Sequence, residues 1–371
     1  LLGCPQPRIS KEYLSPDAYA KATAYSKAKC LFSMCLSLLV LLKDMGLLAL
    51  LPWIYRRYIE GLYKSESLML AAYYLIETLA DVPGSLYYDF IIERAHGFNN
   101  KTLQTFVKDT VLSAVLGTAL TFIVGSVSVM FIKSSLQYFY VYWWLFLCFV
   151  QLCLVIIVPN YISPLYNTFT PLPDGPLKTS VEELAKRAGF CISKILVMDG
   201  SRRSGHSNAY FTGLGKMKKI VFYDTIINQL SMDEVLGVLC HELGHWSHGH
   251  TYFLMLFGFS AIFLALYAFS KLIVLYGDAA ASLQLIYLLY LSGGVFLPFT
   301  LLKNLLVRAM ERQADRFAVR MQYGPALRSG LIKLSLENKP APVNDPVYST
   351  LHYSHPPLDE RLALIDEEMN K

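Results

Sequence analysis

Six apolar stretches, each long enough to cross a bilayer, constrain this chain more than any other feature in it. They lie near 30–54, 66–90, 109–132, 136–158, 252–277 and 283–307, and a helical crossing needs about 20 residues. Hydrophobic residues make up 54% of the 371 and charged ones only 16%, against roughly 25% charged in an ordinary soluble domain. Disorder, a fibrous repeat and a simple water-soluble enzyme are thereby excluded. The expected class is mainly α, with several spans and one modest polar part. Pro83 falls inside the second stretch and predicts a kink there. Lys43, Asp44, Glu77 and Asp81 fall within or beside apolar runs. Ionisable groups at that depth pair with one another or face a watery interior.

The spans divide the chain into four parts: 1–158 with four spans, a polar segment 159–251, two further spans over 252–307, and a polar segment 308–371. Neither polar piece makes a good domain alone, so the two are expected to fold together. Span parity puts both on one side with the 91–108 loop. The short loops of that side hold Arg8, Lys11, Lys21, Lys27, Lys29, Arg94, Lys101 and Lys108, against Arg56, Arg57, Lys64 and Lys133 opposite. Cationic loops stay in the cytosol, so the polar part is expected there. The Asn100-Lys101-Thr102 sequon would then stay bare. The net charge of +5 is too scattered to argue for nucleic acid. Seven cysteines without a C-x-x-C argue against a disulfide framework or a Cys-based zinc site.

Within 159–251, Lys178 to Gly189 reads as an amphipathic helix. Lys194–Met198, Ile220–Tyr223 and Asn208–Thr212 read as short strands. Ser231-Met232-Asp233-Glu234 is a capping box that starts a helix. That helix runs into His241-Glu242-Leu243-Gly244-His245. Residues four apart share a helix face, so the two imidazoles can hold one zinc ion while Glu242 points at a water activated there. A catalytic zinc needs a third protein ligand and an open position. Glu311, just past the last stretch, is the best candidate, with pairing to Arg308 or Arg312 as the plainer reading. Asp315, one turn on, can accept a hydrogen bond from the far nitrogen of a ligand histidine. His248 and His250 read as polar decoration of a helix end. His206 and His355 lie in loops within reach of the site. The His355-Pro356-Pro357 turn is rigid, and its imidazole can contact substrate or the oxyanion or serve the turn alone.

Several segments together resemble the type I CAAX prenyl proteases. They are Pro171-Leu172-Pro173-Asp174-Gly175, Asp199 through Gly213, the zinc helix, Glu311-Arg312-Gln313-Ala314-Asp315, Tyr353-Ser354-His355-Pro356-Pro357 and His96-Gly97-Phe98-Asn99. The resemblance runs over nearly the whole chain. It implies a helical barrel around an intramembrane chamber, with a zinc-protease domain that carries a small β-sheet. It implies a membrane of the endoplasmic reticulum or nuclear envelope, and prenylated C-terminal peptides as substrates. These lose their last three residues, with a second upstream cut in some organisms.

By the same resemblance His241, His245 and Glu311 are metal ligands, Glu242 is the catalytic base, and Asn208-Ala209-Tyr210-Phe211 is a substrate-binding edge strand. Asp315 matches a residue assigned as proton donor in the family, although a supporting role behind a ligand is physically more natural. The family usually has seven spans, and the seventh is expected to precede Leu1. Met310 and Arg312 stand where the family usually has aromatic residues. Two other readings fit the residues alone. One is a membrane quality-control protease acting on unprenylated chains. The other is a channel or carrier with a structural zinc, which would need a fourth protein ligand.

Overall fold

The computed structural model describes residues 9–59, 66–134, 137–213, 218–273, 280–342 and 344–371. The first helices are α1 (Pro16–Ile54), α2 (Glu66–Ala80), α3 (Val82–Tyr87), α4 (Leu103–Lys133), α5 (Phe139–Ile157) and the short α6 (Ser163–Tyr166). Ser15 starts α1 by accepting from Ala18 N at 3.2 Å, and Thr102 starts α4 by accepting from Thr105 N at 3.1 Å. Each cap satisfies a backbone donor that the first turn leaves unpaired. Four helical runs, Pro16–Arg57, Leu103–Lys133, Phe139–Tyr166 and His250–Leu272, are long and apolar enough to cross a membrane. Their outward faces are apolar: Leu39 and Phe149 are each 63% exposed. In water such faces would be unstable, and in lipid they are the expected surface.

The second apolar stretch is broken rather than continuous. α2 stops at Ala80, Asp81 forms a turn, and α3 restarts with Pro83 in its first turn. Proline lacks the N–H that an inner turn requires, whereas a first turn does not use it. Lys43 of α1 pairs with Glu77 of α2 and lies 3.5 Å from Asp44. Beside them the hydroxyls of Tyr73 and Tyr290 share a 2.7 Å hydrogen bond. These charges therefore neutralise one another across two helices.

The polar half is built on a mixed sheet of β1 (Phe169–Pro171), β2 (Lys194–Met198), β3 (Ala209–Thr212) and β4 (Lys219–Tyr223) in the order β1-β2-β4-β3. β2 and β4 run parallel with Ile195 opposite Ile220, while β3 is antiparallel to β4 with Ala209 opposite Phe222. β3 is therefore an edge strand. α7 (Pro176–Arg187), α8 (Asp224–Gln229) and α9 (Met232–Ser247) complete this segment. α10 (His250–Leu272) and α11 (Ala281–Arg320) follow, then α12 (Gly324–Asn338), α13 (Pro346–His352) and α14 (Leu358–Met369). One apolar core joins Ile220 and Phe222 of the sheet, Leu239 and Leu243 of α9, Ala318 of α11, Leu327 of α12 and Ile365 of α14. Both polar segments contribute to it.

α9 begins with the full capping box: Ser231 accepts from Glu234 N, and Glu234 Oε2 accepts from Ser231 N at 2.8 Å. Two glycines set how closely its neighbours approach. A Cβ on Gly237 would lie 2.5 Å from Leu327 N, and one on Gly244 would lie 2.9 Å from Ala314 Cα. Gly244 thus lets the backbone of α11 meet α9 beside His245. Gly244→Ala is expected to cost about 1–3 kcal/mol through overpacking and to weaken metal retention. Gly237→Ala faces α12, which carries none of the three candidate ligands, and is expected to lower the melting temperature alone. Thermal unfolding and metal content of the two variants check this.

Candidate active site

His241 and His245 sit one turn apart on α9 with their Nε2 atoms 3.1 Å apart. Glu311 of α11 lies against both: its Oε1 is 3.2 Å from His245 Nε2 and its Oε2 is 3.4 Å from His241 Nε2. One ligand atom from each residue falls within 4.8 Å of the others. Arg308 does not pair with Glu311. It reaches Glu360 on α14 at 2.7 Å. Glu311 is only 2% exposed, and its Oε2 is buried without a hydrogen-bond partner. A buried carboxylate oxygen left bare is costly. Two imidazole nitrogens turned towards it complete the donor set of a single divalent cation, so these residues fit a metal.

Each histidine is held from behind. His241 Nδ1 lies 2.8 Å from Asp315 Oδ1, and Asp315 is fully buried. Arg361 of α14 clamps that carboxylate with two bonds, Nη2 to Oδ1 at 2.7 Å and Nε to Oδ2 at 3.0 Å. Burial and Arg361 oppose the charge of His241, but Asp315 and Glu311 outweigh them and push its pKa up to about 9. Burial likewise opposes the charge of Asp315, yet Arg361 and His241 hold its carboxyl below the usual range. His245 is braced differently. Its Nδ1 lies 3.0 Å from His250 Nδ1, and His250 Nε2 lies 2.8 Å from Gln313 Oε1. The Gln313 carbonyl accepts, so His250 Nε2 is the donor and its Nδ1 the acceptor. His245 Nδ1 then carries the proton, and its Nε2 keeps a lone pair for a cation.

His250 is therefore not decoration. It is 4% exposed and packs against His245. His248 hydrogen-bonds the Gly244 carbonyl at 2.8 Å and does not turn to the Glu311 carboxylate. His206 does not reach the site either. It meets Glu93 Oε2 at 3.3 Å and Asn338 Oδ1 at 3.2 Å, and stacks on Phe98 at 4.1 Å. His355 does approach: its Nε2 is 3.3 Å from Glu311 Oε1, and its side chain is 64% exposed. Glu242 is half-buried, and burial pushes its carboxyl up. A cleft of about 890 Å³ includes Asn208, His241, Glu242, Leu331, His355 and Arg361 in its wall. Asn208, the residue before the edge strand β3, therefore shares a cleft wall with His241 and Glu242. Arg361, Gln313 and Glu93 were given no role by the sequence, and His250 was read there as decoration. Their one signal was closeness to a motif, for Gln313 and His250.

A His-Glu-x-x-His helix, a carboxylate from a second helix and a cleft that reaches His241 and Glu242 define a metallopeptidase, here carried on apolar spans. Residues 171–369 match Peptidase family M48, and residues 4–168 match the family described as CAAX prenyl protease N-terminal, five membrane helices. A CAAX prenyl protease 1 homolog of Arabidopsis thaliana is 37% identical over 398 residues, covering 98% of this chain and 91% of that protein. The Homo sapiens homolog is 37% identical over 338 residues, covering 78% and 71%. The crystal structure of S. mikatae Ste24p superposes with a TM-score of 0.91 at 31% identity, covering 98% of this chain and 92% of that one. The chain belongs to the CAAX prenyl protease branch of peptidase family M48. It is a multi-pass integral membrane metalloendopeptidase with a Ste24p-like fold, in the mainly α class expected from its sequence.

Proposed function

We propose that this enzyme is zinc-dependent and removes the C-terminal tripeptide from prenylated CAAX proteins. The carrying observation is the convergence of His241, His245 and Glu311 within 4.8 Å, with His241 and Glu242 on the wall of a cleft that Asn208, the residue before β3, also lines. When bound, zinc supplies a Lewis acid that polarises a carbonyl and makes water a better nucleophile. His241, His245 and Glu311 hold it. Asp315, clamped by Arg361, orients His241, and His250 orients His245. Asp315 faces the back of His241, which favours a positioning role over proton donation.

The peptide adds to the free edge of β3 through main-chain hydrogen bonds along Asn208, Ala209, Tyr210 and Phe211. Glu242 takes a proton from the attacking water as the new C–O bond forms at the scissile carbonyl. It then delivers that proton to the leaving nitrogen as the C–N bond breaks. His355 contacts the substrate and the oxyanion from the exposed side. A structural zinc would call for a fourth ligand, and the group among the described residues has three. We place the enzyme in the endoplasmic reticulum membrane, as the family resemblance implies, and its polar half in the cytosol, because the cationic loops fall on that side.

The test uses the purified full chain and a farnesylated C-terminal peptide. Cleavage three residues from the end, blocked by a chelator and restored by zinc, is expected. Equal cleavage of the unprenylated peptide would favour a quality-control protease, and no cleavage of either would end the proposal.

A further inference from the structure

We propose that Lys339, with Lys29 on the same cleft wall, forms a recognition site for the free C-terminal carboxylate of the peptide being cut. This rests on the peptidase reading above and adds to it the feature by which the enzyme measures from the chain end. The start of β3 is tied directly to the end of α12: Asn338 Oδ1 accepts from Ser207 N at 3.2 Å and meets His206 Nδ1 at 3.2 Å. Lys339 follows at once. Its backbone is left-handed, with φ 46° and ψ 51°, at a helix end where glycine or asparagine is the usual occupant. A lysine held in that strained conformation on a cleft wall is a pointer to use. Its Nζ donates to His96 O at 3.0 Å and lies 4.8 Å from the Phe98 ring. Lys29 Nζ donates to Tyr25 Oη at 3.4 Å and lies 4.7 Å from that ring. The Tyr25 and Phe98 rings are 5.0 Å apart, so the two ammonium groups flank one aromatic cluster.

Among the described residues, neither ammonium is paired with a carboxylate. The Glu93 carboxylate below them is taken up by Tyr25 and His206. The other permanent cation of the cleft, Arg361, is spent on Asp315. Each lysine has three donors and only one is used on a protein oxygen. Both line the same cleft as Asn208, His241 and Glu242.

Strand polarity decides which end of the peptide arrives there. Antiparallel pairing is the more stable geometry, and β3 already pairs antiparallel to β4. A peptide added antiparallel to β3 runs from the Thr212 end towards Asn208. Its C-terminal end therefore leaves the strand beside Asn338 and Lys339. Three residues past the cut span about 10 Å in extended form. Val238, Leu331 and Leu334 line the cleft and suit apolar side chains on that tail. An ammonium–carboxylate hydrogen bond at its end is among the stronger polar contacts.

The experiment compares one farnesylated peptide as its C-terminal acid and its C-terminal amide, on the zinc-loaded full chain. The wild type is expected to show a KM about tenfold lower for the acid, with kcat little changed. Lys339→Asn suits the left-handed backbone and removes the charge. It should raise the acid's KM to that of the amide, and Lys339→Arg should restore the difference. The inference is overturned if the wild type cleaves acid and amide alike, or if the Lys29→Gln/Lys339→Asn double variant still discriminates. A wild type that cleaves neither peptide would instead overturn the peptidase reading, and this inference with it.

Discussion

Glu242→Gln is expected to abolish turnover while leaving the metal in place. General-base catalysis is worth about 10²–10⁴-fold, and the amide of glutamine cannot take a proton from water. Among the described residues Glu242 is outside the group of ligand atoms, whose three donors are His241, His245 and Glu311. Its side chain faces the cleft on α9, so the isosteric change leaves the capping box, the Gly244 contact and both imidazoles untouched. The expected signature is a kcat lowered by about 10³-fold with zinc still stoichiometric by elemental analysis and the melting temperature unchanged. Full activity in this variant would remove the proposed base. Loss of zinc would show that Glu242 acts as a ligand instead.

What the sequence disclosed follows the range over which each signal acts. The capping box at Ser231 and the four-residue spacing of His241 and His245 are written within one helix, so they could be read directly. β2, β3 and β4 were legible because short runs of β-branched and aromatic residues mark strands. β1 was not, since Phe169-Thr170-Pro171 is three residues long and ends in proline. Of the bracing, Asp315 behind His241 was legible one turn past Glu311, but the rest was hidden for a different reason. Arg361 reaches His241 across 120 positions and Gln313 reaches His250 across 63. Nothing local distinguishes an arginine in such a clamp from one in water. His206 misled because it borders the edge-strand motif. Its partners, Glu93 and Asn338, come from elements distant in the chain, and they turn it away from the metal ligands.

The two braces make separate predictions about the metal, which a competing chelator can measure. Glu311→Ala removes a donor and should leave the protein without stoichiometric zinc, since two imidazoles alone do not complete a catalytic site. Retained stoichiometric zinc would contradict its assignment as a ligand. Asp315→Asn and His250→Ala keep all three donors, so zinc should remain but bind about 10–100-fold more weakly, the range for lost support behind a ligand. They should differ in stability. Asp315 is fully buried and holds Arg361, so neutralising it leaves a buried guanidinium short of its partner, at about 3–5 kcal/mol. His250 carries only the neutral chain from Gln313 to His245, and an unmet hydrogen bond there costs about 1–3 kcal/mol. Asp315→Asn should therefore melt well below His250→Ala in the metal-free state, while the two weaken zinc comparably. An Asp315→Asn protein with wild-type zinc affinity would mean that the carboxylate serves the fold through Arg361 and does not orient His241.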